Sequence, residues 1–251
     1  LALLEGRIAD GFELSRRARE LGRQAGDANA DVFYAEQYLL RMVVQGRMRE
    51  VDPAAGGVEV DVAERAQSGP AWRAYRFTFA WWRAARGECD QARRDFEAAV
   101  AGGLSTLPRD VNWLAALASA VEACVLLNDT ARARELRTLL EPHASRMVVT
   151  ARGASHGGSV AYLLARLAAL CGDDDAADRI FADAVRREER AGADVFVIRD
   201  LHHHAQFLRA AGLPDRAEKQ QSAAGDKARS LQLEWAFDRD RATELKVRSG
   251  G

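Results

Sequence analysis

The chain has 251 residues, 48% of them hydrophobic and 29% charged, with 36 Lys and Arg against 37 Asp and Glu. Those values fit a folded chain with a sizeable core, and the even charge balance argues against a surface devoted to nucleic acid. No apolar run reaches the roughly 18–20 residues of a bilayer span, and no signal peptide is visible, so a cytoplasmic chain without membrane contact is expected.

The residues from Leu1 to Leu4 read as the tail of a helix, and a start at Leu1 rather than Met suggests a piece of a longer chain. Ile8 to Gln24 form the next helix, followed by a polar link and a helix from Ala30 to Gln45. Between Met48 and Gln67 the pattern fails: Pro53, Gly56 and Gly57 interrupt it, and Val58 to Val62 alternate like a strand. A lone strand has nothing to pair with here, so a broken helix is expected. Pro70 opens a helix at its first turn. Its aromatics, Trp72, Tyr75, Phe77, Phe79, Trp81 and Trp82, occupy more than one face, as in a helix covered on both sides. Residues 88–101, 109–127 and 130–140 continue the helical pattern, with a loop at 102–108 and an irregular link from Glu141 to His156. Val160 to Ala193 is the clearest unit. Val160, Leu163, Leu164, Leu167 and Leu170 line one helix, Ala177, Ile180, Phe181 and Ala184 the next, and Gly172 turns between them. Helices over 194–211 and 214–233 follow, then a charged tail over 234–251.

Closing turns fall at Gly6, Gly46, Gly87, Asn128, Gly172 and Gly212, at intervals of 40, 41, 41, 44 and 40 residues. Even spacing of this size marks stacked helical hairpins. Aligned on the turn, small residues recur five places later (Gly11, Ala92, Ala133, Ala177, Ala217, with Val51 the exception) and twelve later (Ala18, Ala99, Ala184, Ala224). They recur again seven places before it (Ala80, Ala165, Ala205), and Phe96 and Phe181 stand nine after. Small side chains at fixed places let antiparallel helices approach closely.

This pattern resembles the tetratricopeptide repeat, lengthened from its usual period of about 34 residues. The resemblance implies an all-α, right-handed solenoid of antiparallel hairpins with a repeat of about 41 residues, filling 1–233 as one domain. It further implies that the first helix of each hairpin lines a concave face. Offsets taken from the family select Phe33, Glu36, Phe77, Trp81, Glu122, Tyr162, Arg166, Arg199, His202, Gln206 and Arg209. That strip runs from aromatic to basic and would suit an extended or helical segment with apolar and acidic residues. Packing of Phe77 and Trp81 on the next repeat is the plain alternative.

Several stretches, LEGRIADGFELSRRARELGRQAGD, LPRDVNWLAALASAVEAC, LEPHASRMVV and GGSVAYLLARLAALCGD, resemble the helical C-terminal regions of large actinobacterial signalling ATPases. Those include LuxR-type regulators and relatives linked to nucleotide cyclases. The resemblance implies a sensor or interaction arm. It does not carry over the activities of the ATPase or DNA-binding modules, because neither a G-x-x-x-x-G-K-[ST] loop nor a DNA-reading unit is present in this sequence.

Candidate chemistry is thin. His202, His203 and His204 point about 100° apart on a helix and cannot converge on one ion, so they read as a surface-and-groove run. The stretch Arg152 to Ser159 could hold an anion before a helix, but it lacks the phosphate-loop lysine; capping by Ser155 or Ser159 is favoured. Asp173 to Asp175 match the positive end of the following helix. Cys89, Cys124 and Cys171 lack a C-x-x-C pair and read as free thiols. No catalytic set, metal site or cofactor is expected. The sequence therefore reads as a non-catalytic module of a larger signalling or transcription-regulatory ATPase, binding a peptide or protein segment in its groove. That segment could belong to the parent protein itself. The alternatives are self-association through an open solenoid end, as a homodimer, and a small-ligand receptor using the aromatic part of the groove.

Overall fold

The computed structural model describes residues 1–52, 55, 70–150, 153, 155–233 and 235, and of residues 70–74 the backbone alone. The strand-like run 58–62, most of the expected broken helix over 48–67, and the charged tail apart from Trp235 lie outside the described residues. A single 3₁₀ turn, Met48–Glu50, stands at the start of that region.

Helices dominate: α1 (Ile8–Gln24), α2 (Ala30–Val44), α3 (Pro70–Ala85), α4 (Cys89–Val100), α5 (Trp113–Leu126), α6 (Thr130–Leu140), α7 (Val160–Leu170), α8 (Asp174–Ala191), α9 (Asp194–Ala210) and α10 (Pro214–Ser230). The six expected turn residues all adopt left-handed backbone, with φ between 54° at Asn128 and 82° at Gly87. That conformation favours Gly and, among side-chain-bearing residues, Asn, which is why these types punctuate the helices. Four antiparallel hairpins result, α3–α4, α5–α6, α7–α8 and α9–α10. The side chains of Asp129 and Asp173 cap α6 and α8 by accepting from backbone N–H groups of their first turns.

The aligned small residues meet where the helices cross. Ala80, Ala165 and Ala205 on first helices and Ala92, Ala99, Ala133, Ala177, Ala184, Ala217 and Ala224 on second helices are all fully buried. Phe96 and Phe181 fill the space beside them, Phe96 edge-on to Phe77 at 5.4 Å between ring centroids. Gly11 plays the same part at the N-terminal end, where a Cβ would run into the Leu3 side chain. Ala18, aligned with Ala99, is exposed.

The link from Glu141 to His156 is not irregular throughout. It contains a 3₁₀ turn, Glu141–His143, and the start of an antiparallel hairpin of β1 (Met147–Thr150) and β2 (Ser155–Ser159), with a bulge between Val148 and Val149. So the described residues are mostly helical, with one small sheet among them. Two strands alone are marginal in water; these are backed by α2, α5, α7 and α8. The capping expectation divides accordingly: the Ser159 hydroxyl accepts from Tyr162 N and caps α7, whereas Ser155 lies within β2.

The two ends of the described chain meet. Leu3, Leu40, Val44, Val195, Phe196, Ile198, Ala228 and Leu233 form one apolar cluster, flanked by Leu4, Ile8 and Leu231. The Val195 amide donates to Leu4 O at 3.3 Å. Leu3 is thus covered by α9 and α10, while Leu1 and, on α1, Leu14 and Leu21 stay exposed.

Candidate functional site

A partly open cavity of about 410 Å³ indents the molecule. Its helical walls come from α2, α3, α5, α7 and α9, each the first helix of its hairpin where a hairpin is described, and β1, β2 and the links at Asn29 and Val111–Asn112 contribute the rest. Among the described residues, none from α1, α4, α6, α8 or α10 lines it. The exposed valines Val32 and Val111 stand at its rim. A second pocket of about 80 Å³ shares Val43, Trp81, Glu122 and Arg199 with the first.

The residues selected from the sequence distribute unevenly over this interior. Phe33, Glu36, Trp81, Glu122 and Arg199 line the larger cavity, and Tyr162 and Arg166 reach the smaller one. Phe77 does not: it is fully buried against Phe96 in the α3–α4 core, leaving Tyr75, Thr78 and Trp81 as the cavity face of α3. His202 is buried and Gln206 half-buried beside it, with Gln206 Nε2 donating to His202 Nε2 at 3.0 Å. Arg209 is exposed and lines neither pocket. The eleven therefore do not form one continuous open strip.

The basic end of that strip is hydrogen-bonded from within. Arg199 donates through Nε and Nη2 to Asp200 Oδ1 at 2.9 and 2.8 Å, and through Nη1 to Gly157 O at 3.0 Å. Its guanidinium stacks 3.6 Å from the centroid of Tyr162 and 4.4 Å from that of Phe196. Burial pushes the Asp200 carboxyl up to about 8 against the pull of Arg199. Glu188 is likewise raised by burial, and its Oε1 accepts the Ser159 amide. In this way α8 and α9 hold β2 in place through buried charge. Gly158 makes the approach feasible, since its φ is 87° and a Cβ there would strike both the Arg199 guanidinium and Glu188.

A second buried group joins α5, α7 and α9. Tyr162 Oη donates to Glu122 Oε1 at 2.9 Å and lies 2.9 Å from His203 Nδ1, which assigns the ring proton to Nδ1. Arg166 pairs with Glu122 at 3.7 Å. Burial holds His203 well below the usual imidazole range, with Arg166 adding to the effect. Of the three histidines, His202 and His204 are buried and His203 is half-buried at the smaller pocket rather than on the outer surface. Each faces a different partner: His202 Nδ1 meets Gln221, His203 Tyr162, and His204 Nε2 Asp178. Among the described residues no three His, Cys, Asp or Glu side chains gather as a metal-ligand set. None of their helices is long and apolar enough to cross a membrane.

Several wall residues escaped the sequence reading: Tyr75, Thr78, Ser119, Thr150, His156 and Phe196. Tyr75, Thr78 and Trp81 recur at three-residue spacing on α3, a signal that was present in the sequence. Thr150 and His156 belong to the strands, which carry no helical periodicity. No family model matches this chain, and no curated protein or solved structure is significantly similar to it.

Proposed function

We propose that this chain is a non-catalytic sensor region whose inner cavity receives a small ligand. The observation that carries the reading is the cavity itself, within the size range of small-molecule sites, about 300–1,000 Å³, and ringed by first helices. An extended peptide would need a long open trough, and here the wall residues surround a compact space closed on one side by β1 and β2. The evenly spaced left-handed turns and the buried alanines support a lengthened tetratricopeptide-like solenoid with a repeat of about 41 residues. On the sequence resemblance, that solenoid would serve a larger signalling or transcription-regulatory ATPase in the cytoplasm, reporting occupancy through contacts with the parent's other domains.

Titration with the neutral apolar dye N-phenyl-1-naphthylamine tests the cavity. The wild-type chain should give a saturable fluorescence rise. Ala115→Phe, which fills the cavity from α5, should abolish it while the circular dichroism and melting temperature stay close to wild type. No saturable signal, or an undiminished one in a folded Ala115→Phe protein, overturns the reading.

A further inference from the structure

The chemistry of the wall specifies a class of ligand, an inference that rests on the cavity reading above. Its centre is Glu36, midway along α2, whose carboxyl faces the cavity beside Thr150 and Tyr75. Among the described residues no Arg, Lys or His pairs with it, and burial raises its pKa with only Thr150 acting against this. The buried Thr150 hydroxyl is the neighbour that acts on the carboxyl, and it carries no charge. The carboxyl thus faces the cavity with one neutral hydroxyl donor beside it and, among the described residues, no cation. A carboxylate partly withdrawn from water without a counter-charge carries a desolvation cost.

The other ionisable groups at the wall already have hydrogen-bonding partners within the protein. Arg199 is held by Asp200 and the Gly157 carbonyl, and Glu122 by Tyr162 and Arg166. His156 is kept neutral, pushed down to about 4 by burial and by Arg199. An anionic ligand would find no free cation among these groups and would meet Glu36. A cation would remove the Glu36 penalty outright. The surroundings favour an organic cation: Phe33, one turn before Glu36, together with Tyr75, Trp81 and Phe196, brings aromatic rings to the same cavity. Ring faces attract ammonium groups, most strongly where water is excluded. Aliphatic side chains, Leu39, Val43 and Leu163 among them, complete the wall.

We propose that the cavity binds an organic ammonium ion with an apolar body, its charged head on Glu36 and Thr150 and its body against the aromatic and aliphatic walls.

Calorimetric titration at pH 7 with three probes of one shape and different charge tests this: tryptamine, neutral tryptophol and anionic indole-3-propionate. Tryptamine should bind at least tenfold more tightly than tryptophol, and indole-3-propionate more weakly than either. Glu36→Gln should erase the tryptamine advantage and leave tryptophol unchanged. If tryptophol or indole-3-propionate binds as well as tryptamine, the ammonium assignment falls while the cavity reading stands. An unaltered preference in Glu36→Gln removes Glu36 from the site and also overturns it. If none of the three binds, the assignment falls, and the dye titration shows whether the cavity reading falls with it. The ranking on wild-type protein decides the matter even if Glu36→Gln does not fold.

Discussion

His156 shows how the interior sets the behaviour of a single side chain. Its Nδ1 accepts the Gly158 amide at 3.0 Å, its ring lies 5.6 Å from Phe196, and Arg199 is close enough to repel an added proton. The folded pKa is about 4, whereas a free imidazole titrates near 6.5. On acidification the unfolded chain takes up this proton first, so the stability due to His156 is complete above pH 6.5 and is lost as pH falls through about 4. Glu36, Glu188 and Asp200 shift upward and act in the opposite sense: their share is present at low pH and lost as pH rises, for Asp200 through about 8. Whole-protein acid curves therefore mix the two. The difference between wild type and His156→Gln isolates one group. Urea midpoints at pH 7 and pH 4.5 should show the wild-type advantage shrinking at the lower pH, and a gap that does not change with pH contradicts this account.

At the scale of elements, the hairpins depend on side chains that are small where helices cross. Ala177 of α8 is fully buried, so Ala177→Leu forces extra methylenes into a filled crossing. Overpacking of this kind costs about 1–3 kcal/mol, whereas Ala18→Leu on the exposed face of α1 should change stability by less than about 0.5 kcal/mol. Chemical denaturation followed by circular dichroism measures both, and equal effects would contradict the packing argument. These elements were legible in the sequence because their requirements are local. A left-handed turn selects Gly or Asn within one position, and a helix crossing selects Ala at a fixed distance from it. β1 and β2 were not legible because what holds them is remote. Gly157 and Gly158 read as loop, and the groups that fix them, Glu188 and Arg199, lie about 30 and 40 residues further on. The site was half legible for the same reason. Glu36, Trp81, Glu122 and Arg199 follow from helical offsets, but the offset that puts Glu36 at the cavity puts Phe77 into the α3–α4 core. Nor do offsets reveal that Arg199 spends its charge on Asp200, its neighbour in sequence.

For the whole molecule, the junction of its two ends matters most. A stack of repeats ordinarily couples each unit only to its neighbours. Here Leu3 and Leu4 pack on α9 and α10, and α9 also touches α2. Leu3→Asp places a charge in that buried cluster and should loosen both sides of the junction. Hydrogen exchange should then rise at the Val195 amide, which bonds to Leu4 O, and along Phe196 to Ile198, before it rises in α5 and α6. Protection lost only within residues 1–7 would show that the ends are not coupled.

The same junction sets an order on synthesis. Leu3 and Val195 are separated by nearly two hundred residues, and their shared cluster also needs Ala228 and Leu233. Translation at about 5–20 residues per second leaves the leucines of the first turn bare for roughly ten to forty seconds after they emerge. The hairpins, whose contacts are local, can form during that interval. Among the described helices the last to be synthesised is the one that seals Leu3, so a nascent chain stalled before α10 would present a folded stack with Leu3 and Leu4 still exposed.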